Sequence, residues 1–219
     1  MITKDNSYIF FDAAGTLIYT DPPVFEVYSR IGEEFGISLS PDIISSRFSN
    51  AFKEHFRPEN STGYKSSEAL EKERWEQVVT DVFLPKEGQC KELFNTLWQY
   101  FSKPEHWGVY EDTKDLLYRL HEQNFNIGIA SNFDSRLINI CKMHFPLIHE
   151  SNIFYSSDIG YAKPDIRFFQ HIIKELNNDK YDFIMIGDDE INDIQAAKKV
   201  GWQAIHRDDI RILFEKFKL

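Results

Sequence analysis

Cysteine is scarce in this 219-residue chain: there are two, Cys90 and Cys141, in separate segments and without CxxC spacing. That argues against a disulfide framework or a zinc site, and both thiols are expected to be buried. No stretch approaches the roughly 18 apolar residues of a transmembrane helix, and the first residues, which include Lys4 and Asp5, lack the apolar run of a signal peptide. The expectation is a cytoplasmic protein with no membrane partner. Positive charge is also short, with 25 Lys and Arg against 35 Asp and Glu and a formal net charge of −10. Nucleic acid would be repelled at long range and is not expected as a partner. A small phosphorylated molecule remains open, because backbone N–H groups, a lysine and a divalent cation can gather locally even in an acidic protein. Repeats and low-complexity tracts are missing too, and nothing in the pattern reports an oligomeric state.

What is present is an apolar content of 42%, with 15% aromatics, which is the composition of a chain that folds. The length suits one core domain carrying a smaller insertion. Three short apolar runs end in polar residues able to do chemistry: Tyr8-Ile9-Phe10-Phe11 before Asp12, Ile127-Gly128-Ile129-Ala130 before Ser131, and Phe183-Ile184-Met185-Ile186 before Gly187-Asp188. Continuous runs of this length read as strands buried on both faces, as in parallel sheets. Asp115–Leu120 and Ile166–Leu176 carry the spacing of helices with one apolar face. Alternating strands and helices predict an α/β fold with a doubly wound, mostly parallel sheet. In such sheets ligands sit beyond the carboxyl ends of the strands, so Asp12, Ser131 and Asp188 are predicted to converge. Between Asp21 and Trp107 the texture changes to successive helical patterns, such as Phe25-Tyr28-Ile31-Phe35 and Leu70-Arg74-Val78-Val79, divided by turn signals at Pro22-Pro23, Ser40-Pro41 and Lys103-Pro104. This predicts an all-helical insertion.

Four segments carry the chemistry. In Phe11-Asp12-Ala13-Ala14-Gly15-Thr16-Leu17, an Asp at a strand end before a Gly turn can offer an oxygen to an electrophile while neighbouring N–H groups hold an anion; a turn or cap Asp is the plainer reading. In Ala130-Ser131-Asn132-Phe133-Asp134, the serine hydroxyl can bond a phosphoryl oxygen, or Ser131 and Asp134 can cap the helix that begins near Ser135. In Gly160-Tyr161-Ala162-Lys163-Pro164-Asp165, Pro164 suits the first position of a helix and leaves Lys163 at its entrance, where an ammonium can stabilise a carboxylate and a phosphoryl group together. In Gly187-Asp188-Asp189-Glu190-Ile191-Asn192-Asp193, four acidic residues within six positions repel one another, and a hard cation would relieve that repulsion.

In order and content these segments resemble the motifs of the haloacid dehalogenase superfamily: DxDGT, S/T, K and GDxxxND. SNFDSRL and GYAKPD further resemble the subgroup named "haloacid dehalogenase-like hydrolase domain-containing". The resemblance implies a Rossmann-like core at residues 1–20 and 108–219 with a helical cap at 21–107, Mg²⁺ as cofactor, and hydrolysis of a small phosphorylated metabolite. It implies that Asp12 is the nucleophile and forms an aspartyl-phosphate, that Ser131 binds the phosphoryl group and that Lys163 stabilises charge. Asn132, Gly15 and Thr16 would help to bind the phosphate. Asp12, the Ala14 backbone carbonyl, Asp188 and Asp193, the last directly or through water, would hold the metal, with Asp189 as a helper.

Ala14 departs from the pattern, because the family's phosphatases place there a second Asp that protonates the leaving oxygen and activates water. General acid–base help is worth about 10²–10⁴-fold, so phosphomonoesterase activity is expected to be poor unless another group substitutes; Glu54, His55 and His106 are the cap candidates. Three alternatives follow. Phosphonoacetaldehyde hydrolases also carry Ala at this position and use a cap lysine, for which Lys53 and Lys65 are candidates, but they have Arg where this chain has Lys163. A 2-haloacid dehalogenase lacks the second Asp and needs no metal, against which the acidic fourth segment argues. The third alternative is a non-catalytic protein that binds a phosphorylated ligand. The aromatic cluster Trp98, Tyr100, Phe101 and Trp107 reads as helix packing and cap hinge rather than a substrate box.

Overall fold

The computed structural model describes residues 6–56, 64–84, 89–177, 182–212 and 214. Its principal sheet has five strands: β1 (Ser7–Phe11), β4 (Asn126–Ser131), β5 (Ile153–Tyr155), β6 (Asp182–Gly187) and β7 (Gln203–His206). Every pairing among them is parallel, in the order β5-β4-β1-β6-β7. The chain moves from β1 to one side through β4 and β5 and then returns to the other side through β6 and β7. Strand order therefore reverses at β1, and Asp12, the first residue after it, stands at the switch point. The apolar runs explain this placement, since all five residues of β1 are buried and a strand flanked on both edges and both faces has no polar side to offer.

Side chains of β1 alternate between two cores. Tyr8 and Phe10 point with Ala130, Phe183 and Met185 into a cluster completed by Phe168, Phe169, Ile172 and Trp202. Ile9 and Phe11 face the other way and are fully buried, as are Ile129, Ile184 and Ile186. Trp202 stacks on Phe183 at 4.8 Å and on Phe10 at 5.4 Å, and meets the Phe169 ring edge-on at 5.1 Å.

The helices of the inserted region are α1 (Val24–Glu34), α2 (Pro41–Phe56), α3 (Glu68–Phe83) and α4 (Cys90–Phe101). They enclose their own core of Val27, Tyr28, Ile31, Val78, Val82, Phe83, Leu93, Phe94 and Leu97, against which Trp98, Tyr100 and Trp107 pack. Two three-residue strands, β2 (Ile18–Thr20) and β3 (Trp107–Val109), pair with each other where the chain leaves and re-enters the sheet region. The helices that follow are α5 (Glu111–Glu122), α6 (Arg136–His144), α7 (Ser156–Ile159), α8 (Ile166–Glu175) and α9 (Ala196–Lys199). No helix among the described residues is long and apolar enough to cross a membrane.

The chain divides into two compact units, Met1–Tyr19 with Gly63–Ser67 and Val109–Leu219, and Thr20–Thr62 with Glu68–Gly108. Gly63–Ser67, inside the stretch expected to be an all-helical insertion, groups with the sheet unit and is not helical among its described residues. Lys65 forms an antiparallel bridge with Tyr161, the Ala162 N–H donates to the Tyr64 carbonyl at 2.7 Å, and the Ser66 N–H donates to the Gly160 carbonyl at 3.0 Å. Two further expectations need correction. Pro164 is not the first residue of a helix: α8 starts at Ile166 and its cap is Asp165, whose carboxylate accepts the Arg167 N–H. Cys90 is only half-buried, its sulfur 2.8 Å from the Thr80 hydroxyl, whereas Cys141 is buried and desolvation pushes its thiol up to about 12.

Candidate active site

At the carboxyl ends of the central strands the structure brings Asp12, Ser131, Lys163, Asp188 and Asp193 into one region of the sheet unit. Lys163 is 2% exposed, and its ammonium has three acceptors: Asp12 Oδ1 at 2.8 Å, Asp193 Oδ1 at 2.5 Å and the Ala130 carbonyl at 2.8 Å. An ammonium has three protons, so each is engaged and the side chain is fixed. Burial would favour the neutral amine, but the charges of Asp12 and Asp193 together outweigh it and hold the ammonium above its ordinary range. The main chain of Lys163 is held as well, by Asn132, whose side-chain oxygen accepts the Lys163 N–H at 2.7 Å while its amide nitrogen donates to the Lys163 carbonyl at 2.9 Å.

Oxygens of Asp12, Asp188 and Asp193 lie within 4.8 Å of one another. Desolvation, then the charge of Asp12, raises the Asp188 carboxyl above the usual range. Desolvation also pushes Asp193 up to about 7, with Asp12 adding to the shift and Lys163 opposing it. Three partly desolvated carboxylates facing one lysine carry more negative charge than that lysine neutralises. A hard divalent cation with oxygen ligands fits this donor set. Among the described residues, one Asp12 oxygen has no partner and the Ala14 carbonyl accepts no hydrogen bond. Asp12, Asp188 and the Ala14 carbonyl are therefore the atoms free to hold the ion. Asp193 has both oxygens engaged, one by Lys163 and the other by the Asp189 N–H at 3.1 Å, which favours contact through water over direct ligation.

Several predicted anion contacts change role. Thr16 is fully buried, its hydroxyl donates to Asp188 Oδ1 at 2.9 Å, and its N–H turns back to Ala13. Gly15 donates its N–H to the Ile18 carbonyl. Its Cα, at φ +94°, lies so close to the Asp188 carboxylate that a Cβ would overlap it. Both residues shape the turn rather than present donors to a phosphate. Asn132 likewise has its side chain engaged at both ends by Lys163. Among the described residues, the N–H groups of Ala13 and Ala14 and the Ser131 hydroxyl have no protein partner and are open to an anion. Asp189, expected as a helper, caps the turn at Glu190–Gln195 by accepting the N–H groups of Ile191 and Asn192. Asp134 pairs with Arg136 at 2.6 Å and accepts its N–H, the capping role considered for it.

The cap candidates occupy the helical unit. Glu54 and His55 gather with Asp81, His55 Nε2 lying 2.7 Å from Asp81. His106 stacks on Tyr100 and bonds the Tyr100 carbonyl through Nδ1.

A family model described as haloacid dehalogenase-like hydrolase matches residues 7–201. The chain belongs to that family. Among curated relatives of this haloacid dehalogenase-like hydrolase, an uncharacterised hydrolase of Schizosaccharomyces pombe is 30% identical over 217 residues, covering 95% of this chain and 93% of the relative. The zebrafish (Danio rerio) haloacid dehalogenase-like hydrolase domain-containing protein 3 is 27% identical, covering 89% of this chain and 81% of its own. Among solved structures, the magnesium-bound HAD-hydrolase YfnB of Bacillus subtilis shares the fold with a TM-score of 0.71 at 15% identity, covering 98% and 99% of the two chains. Membership makes this hydrolase one of an enzyme superfamily and supports the Rossmann-like sheet with a small-molecule substrate.

Proposed function

We propose that the chain is a Mg²⁺-dependent phosphohydrolase of a small phosphorylated metabolite. The observation that carries this reading is the Lys163 ammonium, held between Asp12 and Asp193 while the other Asp12 oxygen has no partner among the described residues and Asp188 lies close by. Bound Mg²⁺ would neutralise charge on the phosphoryl oxygens and on the carboxylates. In the first step the free oxygen of Asp12 attacks phosphorus, an O–P bond forms, and the ester O–P bond breaks to release the alcohol, which takes its proton from solvent or carries a stable negative charge. In the second step water attacks the aspartyl-phosphate, a proton leaves to solvent, and inorganic phosphate and the Asp12 carboxylate are restored. Lys163 stabilises the carboxylate before attack and the phosphoryl charge during it, while Ser131 and the N–H groups of Ala13 and Ala14 supply anion contacts.

A metal-free dehalogenase would gain nothing from a desolvated Asp188 beside Asp12, because a second carboxylate there opposes the approach of an anionic haloacid. The test is phosphate release from a metabolite panel and from an aryl phosphate, in Mg²⁺ and in EDTA, beside Asp12→Asn. Release that requires both Mg²⁺ and Asp12 is the expected result. Halide release in EDTA would overturn the reading in favour of a dehalogenase. Tight Mg²⁺ binding with no turnover would overturn it in favour of a binding protein.

A further inference from the structure

The two loops that carry the candidate metal ligands are joined by a dipeptide outside the four motifs. His206 is the last residue of β7 and Arg207 follows it. His206 Nδ1 accepts the Asp208 N–H at 3.2 Å, which leaves the ring proton on Nε2, and Nε2 donates to the Asp188 backbone carbonyl at 2.9 Å. One residue later, Arg207 Nη1 donates to the Gly15 backbone carbonyl at 2.8 Å. The guanidinium lies 3.5 Å over the Tyr110 ring and its other arm is 3.6 Å from Asp112. The Arg207 side chain is 19% exposed, so these contacts are not those of a fully solvated surface pair.

The anchored atoms matter for the site. Gly15 and Thr16 touch Asp188 directly, Gly15 through its Cα and Thr16 through its hydroxyl. The main chain at Gly15 and the side chain of Asp188 therefore set each other's position. Arg207 fixes the first loop at its carbonyl, and His206 fixes the second at the carbonyl of Asp188 itself. Adjacent residues on one strand end thus span the loop after β1 and the loop after β6. Neither residue reaches the reacting atoms, and neither offers a ligand to the cation.

We propose that His206 and Arg207 form a positioning staple: it sets the spacing between the Asp12 and Asp188 loops and thereby the affinity of their carboxylates for a divalent cation. The proposal rests on the cation reading above and not on turnover.

The test is calorimetric titration of the full chain with MgCl₂, beside thermal melting in EDTA. Loss of a group that orients metal ligands typically costs about 10–100-fold in metal affinity, and Arg207→Met is expected within that range. Arg207→Lys should fall between it and wild type, since an ammonium reaches the Gly15 carbonyl but lacks the second arm for Asp112 and the plane for Tyr110. His206→Phe should also weaken binding, and the double variant should lose less than the two single losses combined, as expected for two parts of one device. A fall in thermal midpoint with unchanged Mg²⁺ affinity would overturn the proposal, leaving the pair a purely structural role. Should Arg207→Met fail to fold, Arg207→Lys carries the same decision. Asp188→Asn separates the two readings. If wild type and Asp188→Asn bind Mg²⁺ equally poorly, the cation reading falls and the staple with it; if only Asp188→Asn is weakened, the staple alone is overturned.

Discussion

The residue that most constrains this site is one whose side chain does nothing chemical. Ala14 is exposed and its methyl group carries no proton to give. A hydrolase built this way should depend on how well the leaving group departs unaided, so activity should fall steeply along a series of aryl and alkyl phosphates as the leaving group becomes more basic. Restoring the missing group by Ala14→Asp should raise turnover of poor leaving groups by up to about 10²–10⁴-fold and flatten that slope; an unchanged slope would mean that the acid comes from elsewhere. Lys163 makes the opposite case, a residue whose removal should be felt in folding. Truncating one partner of a buried ion pair costs about 3–5 kcal/mol, and Lys163→Ala strands Asp12 and Asp193 together. The cost should depend on pH. Burial raises the Asp193 carboxyl from the ordinary carboxylate range to about 7, so its contribution is fully present below that ordinary range and is lost as pH rises through about 7. Without Lys163 the carboxyl should stay protonated to still higher pH, and urea unfolding should show the variant closer to wild type at low pH than at high.

At the scale of elements, the strands that end in Asp12, Ser131 and Asp188 were legible because unbroken apolar runs leave few options except a doubly covered parallel strand. The short strands β2, β3, β5 and β7 were not, since three or four residues hold no period and form only because a neighbour is already in place. The same limit explains the site. Asp12, Lys163 and Asp188 could be named from motif order, but the engagement of the Thr16 hydroxyl, the Gly15 Cα and the Asn132 side chain follows from contacts between segments more than 30 positions apart, which no local pattern contains. Nor did the sequence mark His206 and Arg207, whose partners are backbone atoms. No motif contains Trp202, yet its indole N–H is buried in the aromatic stack without a partner among the described residues. An unsatisfied buried donor costs about 1–3 kcal/mol. Trp202→Phe removes that donor along with some ring volume, and the two changes oppose each other. The variant should therefore melt near wild type, while Trp202→Ala should lose about 3–5 kcal/mol through the cavity it leaves; a Trp202→Phe variant as unstable as Trp202→Ala would show that the ring volume outweighs the orphan donor.

For the whole molecule, the division into two units has an energetic consequence, because each unit closes its own apolar core. The proposed Mg²⁺ ligands Asp12, Ala14, Asp188 and Asp193 all belong to the sheet unit, so Mg²⁺ bound as proposed should stabilise that unit by mass action, by about 2.7 kcal/mol at one hundred times its dissociation constant. Tryptophan placement makes the effect separable. Trp75, Trp98 and Trp107 pack in the helical unit and Trp202 in the sheet unit. In a Trp202→Phe background fluorescence reports the helices, whereas replacing the other three with Phe leaves Trp202 to report the sheet. Melting each variant in EDTA and in excess MgCl₂ should move the Trp202 transition upward by several degrees and leave the helical signal in place, and Asp188→Asn should remove the shift. If both signals move together, the two cores unfold as one cooperative body, and the division seen in the contacts is not a division in stability.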